Sequence, residues 1–124
     1  MIAEWHDIEA KKIWDMKFSA KLPTDIQKTA RRKLIMIHSA ATINDLRIPP
    51  SNHLEELKGD REGQYSIRVN EQYRICFYWN NGNVIIEEIG DYHEGGDLYN
   101  GFEAYIARRN FAGRVSGTNG YNSI

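Results

Sequence analysis

The sequence predicts an α+β fold, with N-terminal helices packed on a mainly antiparallel sheet and an extra C-terminal tail. Three observations predict it. Apolar residues recur at helical spacing through Ile37. From Leu54 onward the period changes to two, the signature of strands. Asn81-Gly82 then separates two alternating runs, which is the strongest short-range hairpin signal. Helices followed by strands, without interleaving, is the α+β order.

The opening "MIAEW" reads as a short strand. In "DIEAKKIWDM", Ala10, Ile13 and Trp14 share one helical face, and Asp7 is the expected N-cap. "KLPTDIQKTARRKLIMIHSA" is the clearest helix. Thr24 and Gln27 have capping-box spacing, and Ile26, Ala30, Leu34 and Ile37 make its apolar stripe. Lys28, Arg31 and Arg32 lie on the other side, as a solvated face does. Pro49 and Pro50 disfavour helix before them, so the helix ends ahead of "INDLRIPP". "LEELKG", "QYSIRVN", "YRICFYWN" and "NVIIEEIGDYH" are the strands of a meander. The compact domain is expected over residues 1–93. Residues 94–124 form a C-terminal extension, rich in Gly and Asn. There Phe102, Ala104, Tyr105, Ile106 and Ala107 allow a short helix before a loose tail.

With 124 residues the chain builds one core and not two. Its 41% hydrophobic and 27% charged residues are ordinary for a soluble globular protein. No apolar run approaches the roughly 20 residues that cross a bilayer, and the N-terminus lacks the apolar stretch of a secretory signal. The single cysteine, Cys76, excludes a disulfide framework and fits the reducing cytoplasm. Four histidines without ligand spacing give no metal site, and no cofactor is expected. The net charge of −1 makes no case for nucleic acid, so any such case must come from local clustering.

One cluster makes it. A loop centred on Glu71 pairs Val69 with Tyr73, Ile67 with Ile75 and Tyr65 with Phe77, all apolar on apolar. A slip of one residue would mix the two faces. This register sets Arg68 directly opposite Arg74, and facing like charges destabilise a strand pair. A two-residue loop at Asn81-Gly82 pairs Phe77 with Ile86 and Trp79 with Val84, and makes Glu87 and Asp91 diagonal neighbours of Arg74. Either a carboxylate neutralises Arg74 in an ordinary pair, or a phosphate bridges the two arginines. A guanidinium fork suits both. Alternation also carries His93 to this face, with Tyr92 pointing the other way unless the strand twists or breaks there, and Lys58 at the end of its own strand. Cations, a phenol and an imidazole titrating near neutrality suit cleavage of RNA through the 2′-hydroxyl, without being unique to it.

The order of "LPTDIQKTARRKL", "DLRIPPSNHLEELKGDREGQYSIRVNEQYRICFYW" and "EEIGDYH" resembles HigB-like toxins of the RelE/ParE superfamily, over residues 1–93. The resemblance implies the toxin of a type II toxin–antitoxin system. It implies a metal-independent endoribonuclease that cuts messenger RNA in the ribosomal A site and so inhibits translation. It implies a helix-turn-helix, HigA-like antitoxin as partner, with operator DNA reached only through that antitoxin. Carried over by motif, Asp91, Tyr92, His93 and Arg74 are the catalytic candidates, and Glu55, which stands where the chain departs from the pattern, is added to them. Lys58, Arg61, Arg68 and Arg74 are the candidates for RNA phosphate. This favours the phosphate reading of the arginine pair.

The chain departs from the family pattern in two places. Where active relatives can carry a histidine three residues before the strand lysine, this chain has Glu55, with His53 two positions back. A glutamate is a weaker proton acceptor than imidazole at neutral pH, so activity is expected to be mild or carried by His93. The pattern also stops near "DYH", which leaves residues 94–124 as an extra helix, an interaction segment or an artificial addition. The competing expectation is a non-catalytic or degenerate family member, which binds another target such as gyrase or serves as antitoxin co-repressor.

Overall fold

A computed structural model describes residues 1–91. The elements follow in the order β1 (Ile2–Trp5), α1 (Ile8–Trp14), α2 (Thr24–Ser39), β2 (Glu55–Glu56), β3 (Gln64–Arg68), β4 (Tyr73–Asn80) and β5 (Asn83–Asp91). Short 3-10 turns at Ile43–Arg47, Pro50–Asn52 and Gly59–Arg61 fill the connections. The sheet order is β1-β5-β4-β3-β2. β2–β3 and β3–β4 pair antiparallel, whereas β1 lies parallel to β5. The fold is therefore the expected α+β arrangement on a mainly antiparallel sheet.

Both helices bury the faces that their periodicity marks. Ala10 and Ile13 from α1 join Ile26, Ala30, Leu34 and Ile37 from α2. They pack with Ile67, Ile75, Phe77, Val84, Ile86 and Ile89 of the sheet in one core. Trp14 adds an aromatic bridge, with its ring 5.6 Å from Trp5 and 5.2 Å from His38. At the β4–β5 hairpin Asn81 and Gly82 have φ of 53° and 86°. Both are left-handed, as a two-residue primed turn requires.

The caps divide. Asp7 caps α1 as expected, accepting from the backbone N–H of Glu9 at 2.9 Å and Ala10 at 3.4 Å. Its other oxygen takes the Ile89 N–H at 2.9 Å, so one carboxylate starts a helix and ties it to β5. The Thr24–Gln27 capping box does not form. Thr24 is already helical, Pro23 occupies the cap, and no side chain caps it. Gln27 instead turns to the α1–α2 connection, donating to the Ser19 and Leu22 carbonyls, each at 2.8 Å. One side-chain amide thereby satisfies both carbonyls.

Two strand expectations need correction. The strand expected over Leu54–Gly59 shrinks to Glu55–Glu56. Leu57 N still reaches Gln64 O at 2.8 Å, after which Gly59, at φ +64°, bends the chain into its turn. In β5 strict alternation fails, because Ile86 and Ile89, three positions apart, both lie in the core. The parallel β1–β5 pairing is also irregular between Ile2 and Glu4. That irregularity adds its extra residue on β1 and leaves β5 itself unbroken, so the burial of both Ile86 and Ile89 is a feature of β5 that simple alternation from Asn83 does not give.

Candidate functional site

The β3–β4 ladder runs in the register that keeps apolar residues together: Tyr65↔Phe77, Ile67↔Ile75 and Arg68↔Arg74. The two arginines face each other directly. Ser66 pairs with Cys76 between them and the strand start, and Glu55 on β2 sits opposite Ser66. Glu55, Ser66, Arg68 and Arg74 therefore share the sheet face away from the helices.

Their exposures differ sharply. Arg68 is half-buried, whereas Arg74 is only 3% exposed. Arg74 Nε donates to Ser66 Oγ at 2.8 Å and Nη2 to the Ser66 carbonyl at 3.2 Å. Nη2 also donates to the His53 carbonyl. Glu55 Oε1 lies 3.9 Å from the same nitrogen. These acceptors stabilise a guanidinium that burial alone would penalise. Arg74 thus forms the floor of the face, Glu55 leans on it from solvent with its side chain 45% exposed, and Arg68 stands beside it.

His53 owes its place to the turn before it. It closes the Pro50–Asn52 turn in the left-handed conformation (φ 45°, ψ 59°), which histidine tolerates better than most residues. Asn52 anchors that turn. Fully buried, it donates from Nδ2 to the Leu46 carbonyl at 3.1 Å and accepts from Lys33 Nζ at 2.6 Å.

The other expected site residues are dispersed. Lys58 is exposed and starts the Gly59–Arg61 turn beyond the end of β2. Arg61 does not stand free for phosphate: its Nη1 is 2.9 Å from Glu88 Oε2, and the two side chains are 12% and 7% exposed. Glu87, expected beside Arg74, lies 2.9 Å from His6 Nδ1. The His53 side chain is exposed. Asp91 ends β5 and is half-buried. Tyr92, His93 and the short helix expected near Phe102 lie outside the described residues. Among the described residues no group of three or more His, Cys, Asp or Glu is placed to hold a metal ion. Among them, too, no helix is long and apolar enough to cross a membrane.

Sequence reasoning passed over Ser66 and the Lys33–Asn52 contact. Ser66 was legible, since the register that faces the arginines also sets it on their face. Lys33 was not, because a lysine flanked by Arg32 and Leu34 gives no sign of being only 8% exposed.

With this geometry in place, comparison with known proteins decides the family. Residues 4–93 match the HigB-like toxins, described as RelE-like toxins of the type II toxin–antitoxin system HigB. The chain belongs to the HigB-like toxin family. Endoribonuclease HigB of Proteus vulgaris is 31% identical to this HigB-like toxin over 93 residues, 75% of this chain and 100% of that protein. Toxin HigB-1 of Vibrio cholerae is 44% identical over 68 residues, 55% of this chain and 72% of that protein. An uncharacterised Haemophilus influenzae protein is 48% identical over 65 residues, and the match spans 52% of this chain and 64% of that relative. A solved YoeB–YefM complex from Staphylococcus aureus has the same fold, with TM-score 0.51 and 20% identity over 75% of this HigB-like toxin and 95% of the matched chain.

Proposed function

We propose that this toxin cleaves messenger RNA on translating ribosomes through the ribose 2′-hydroxyl and thereby inhibits translation. The observation that carries the reading is the cross-strand pair Arg68–Arg74, with Glu55 on the same face 3.9 Å from Arg74. A base removes the 2′-proton, the 2′-oxygen attacks the neighbouring phosphorus, and the 5′-oxygen leaves with a proton from an acid. A 2′,3′-cyclic phosphate remains. Glu55 takes the proton, and His53 and His93 are the other bases the chain offers. Arg68 and Lys58 meet the phosphate oxygens. Arg74, beneath them, steadies Glu55 and adds positive potential where negative charge builds. Asp91, Tyr92 and His93 complete the acid side on the family pattern, and the reaction needs no metal. Arg61, in its pair with Glu88, supports the sheet rather than the RNA.

The partner on this reading is a HigA-like helix-turn-helix antitoxin, which blocks the toxin and carries it to operator DNA. Ribosome and messenger place the activity in the cytoplasm. The toxin domain occupies residues 1–93 and the extension residues 94–124.

Primer extension on messenger from induced cells tests the chemistry. The wild-type protein should produce cuts within codons. Glu55→Gln and His93→Ala should each weaken them by roughly 10²-fold or more, the usual contribution of a positioned acid or base. Undiminished cleavage by both variants would remove the assigned chemistry. The engagement of Arg74 and Arg61 inside the protein favours a second reading, a non-catalytic member that binds another target such as gyrase or serves as co-repressor. Growth inhibition without any new messenger ends would select it.

A further inference from the structure

We infer that the buried contact between Lys33 and Asn52 is a positioning device for the Arg74–Glu55 site. The inference rests on the proposed cleavage reaction and names residues of α2 and its following loop that act on the site through others.

The chain of contacts is continuous. Lys33 Nζ donates to Asn52 Oδ1 at 2.6 Å. Asn52 Nδ2 donates to the Leu46 carbonyl at 3.1 Å and lies 3.9 Å from Met36 Sδ. This holds the Pro50–Asn52 turn against α2. The next residue, His53, turns left-handed and presents its carbonyl to Arg74 Nη2. Two residues on, Glu55 enters β2 opposite Ser66, with Oε1 3.9 Å from that nitrogen. The loop that places the candidate base is thus pinned at one end by Asn52 and at the other by the sheet.

A lysine is a costly pin. It is 8% exposed, and its partner is a neutral amide rather than a carboxylate. Burial, followed by the nearby charge of Arg32, pushes its pKa down. A methionine would fill the same space without desolvating an ammonium group, so stability alone does not account for a lysine here. Residues that break a local rule in this way concentrate where function requires a defined geometry. What Lys33 supplies, and methionine cannot, is a charge-assisted hydrogen bond that fixes Asn52.

The test uses the full chain and two variants. Lys33→Met removes the donor. Lys33→Met with Asn52→Leu removes both partners of the contact and takes a donor only from the Leu46 carbonyl, and this variant carries the test should the single one fail to fold. The first readout is hydrogen exchange of the Arg74 side-chain N–H groups, followed by nitrogen NMR in the free protein. The second is single-turnover cleavage of messenger on programmed ribosomes. Both variants should remain folded, with the melting temperature lowered by up to about 10 °C for the buried acceptor each leaves without its donor. Arg74 exchange should rise, and cleavage at saturating ribosomes should fall roughly tenfold, with the half-saturating concentration unchanged within about twofold. A merely structural pin would leave exchange and cleavage alone in a folded variant, and that result overturns the inference. A wild-type protein that leaves messenger intact would instead remove the proposed reaction. Arg74 exchange then still judges the pin: faster exchange in the variants supports it, and unchanged exchange overturns it.

Discussion

Arg74 shows how far one side chain's burial changes what its removal does. At 3% exposure it holds Ser66 by side chain and backbone and takes the His53 carbonyl. Arg74→Ala leaves these acceptors without their donor and opens a cavity, so it should lower unfolding stability by roughly 3 kcal/mol in urea. Arg74→Lys keeps the charge but not the planar fork and should recover only part. An alanine variant as stable as wild type would show that the buried bonds are weak. Two facing arginines on an exposed surface would lose little stability when one is removed, because like charges across a strand pair repel. The register was legible in the alternation of Tyr65, Ile67, Ile75 and Phe77. The burial was not, since it depends on His53 and Glu55, whose loop crosses to Arg74 through a left-handed turn with no periodic signal.

Among the elements, those defined by a period were legible and those defined by long-range partners were not. The α2 stripe and the Asn81-Gly82 turn follow from local spacing, and both are present. The parallel pairing of β1 with β5 joins opposite ends of the chain, and the Asp7 carboxylate on Ile89 N adds a second such contact. Next to that contact, His6 joins the same two strands. Its Nδ1 lies 2.9 Å from Glu87 and its Nε2 3.1 Å from Glu4. The hydrogen bond to Glu87, and then that to Glu4, raises its pKa above 6.5 against the opposing effect of burial. A raised folded pKa means that the folded state binds the proton more tightly. The stabilisation is then complete below 6.5 and is lost as pH rises through the folded value. Wild type should therefore lose melting temperature between about pH 6 and about pH 8, and His6→Gln should lose less. The imidazole is 42% exposed, so the difference is small and shrinks in salt. Parallel curves for the two proteins would mean that His6 contributes no pH-dependent stability.

At the scale of the molecule, the net charge of −1 sets a limit on how the protein meets a ribosome. No bulk positive field draws it to RNA, so attraction must come from particular cations. Of the four assigned to phosphate from the sequence, two differ from the others in the fold. Arg74 is bonded within the sheet and Arg61 is paired with Glu88, whereas Lys58 is exposed and Arg68 half-buried. Contact with phosphate releases condensed counterions, and each such contact adds roughly 0.7–0.9 to the slope of log affinity against log salt. Lys58→Ala and Arg68→Ala should each reduce that slope for ribosome binding by about this amount. Arg61→Ala should leave the slope unchanged, because its guanidinium answers a carboxylate in the free protein. It should instead lower the melting temperature by removing the guanidinium that pairs with Glu88, a carboxylate only 7% exposed. The two measurements, taken on the same three variants, separate cations that face RNA from cations that hold the sheet. Equal slopes in all three would place the RNA contacts on another surface, and a reduced slope in Arg61→Ala would mean that its pair with Glu88 opens on the ribosome.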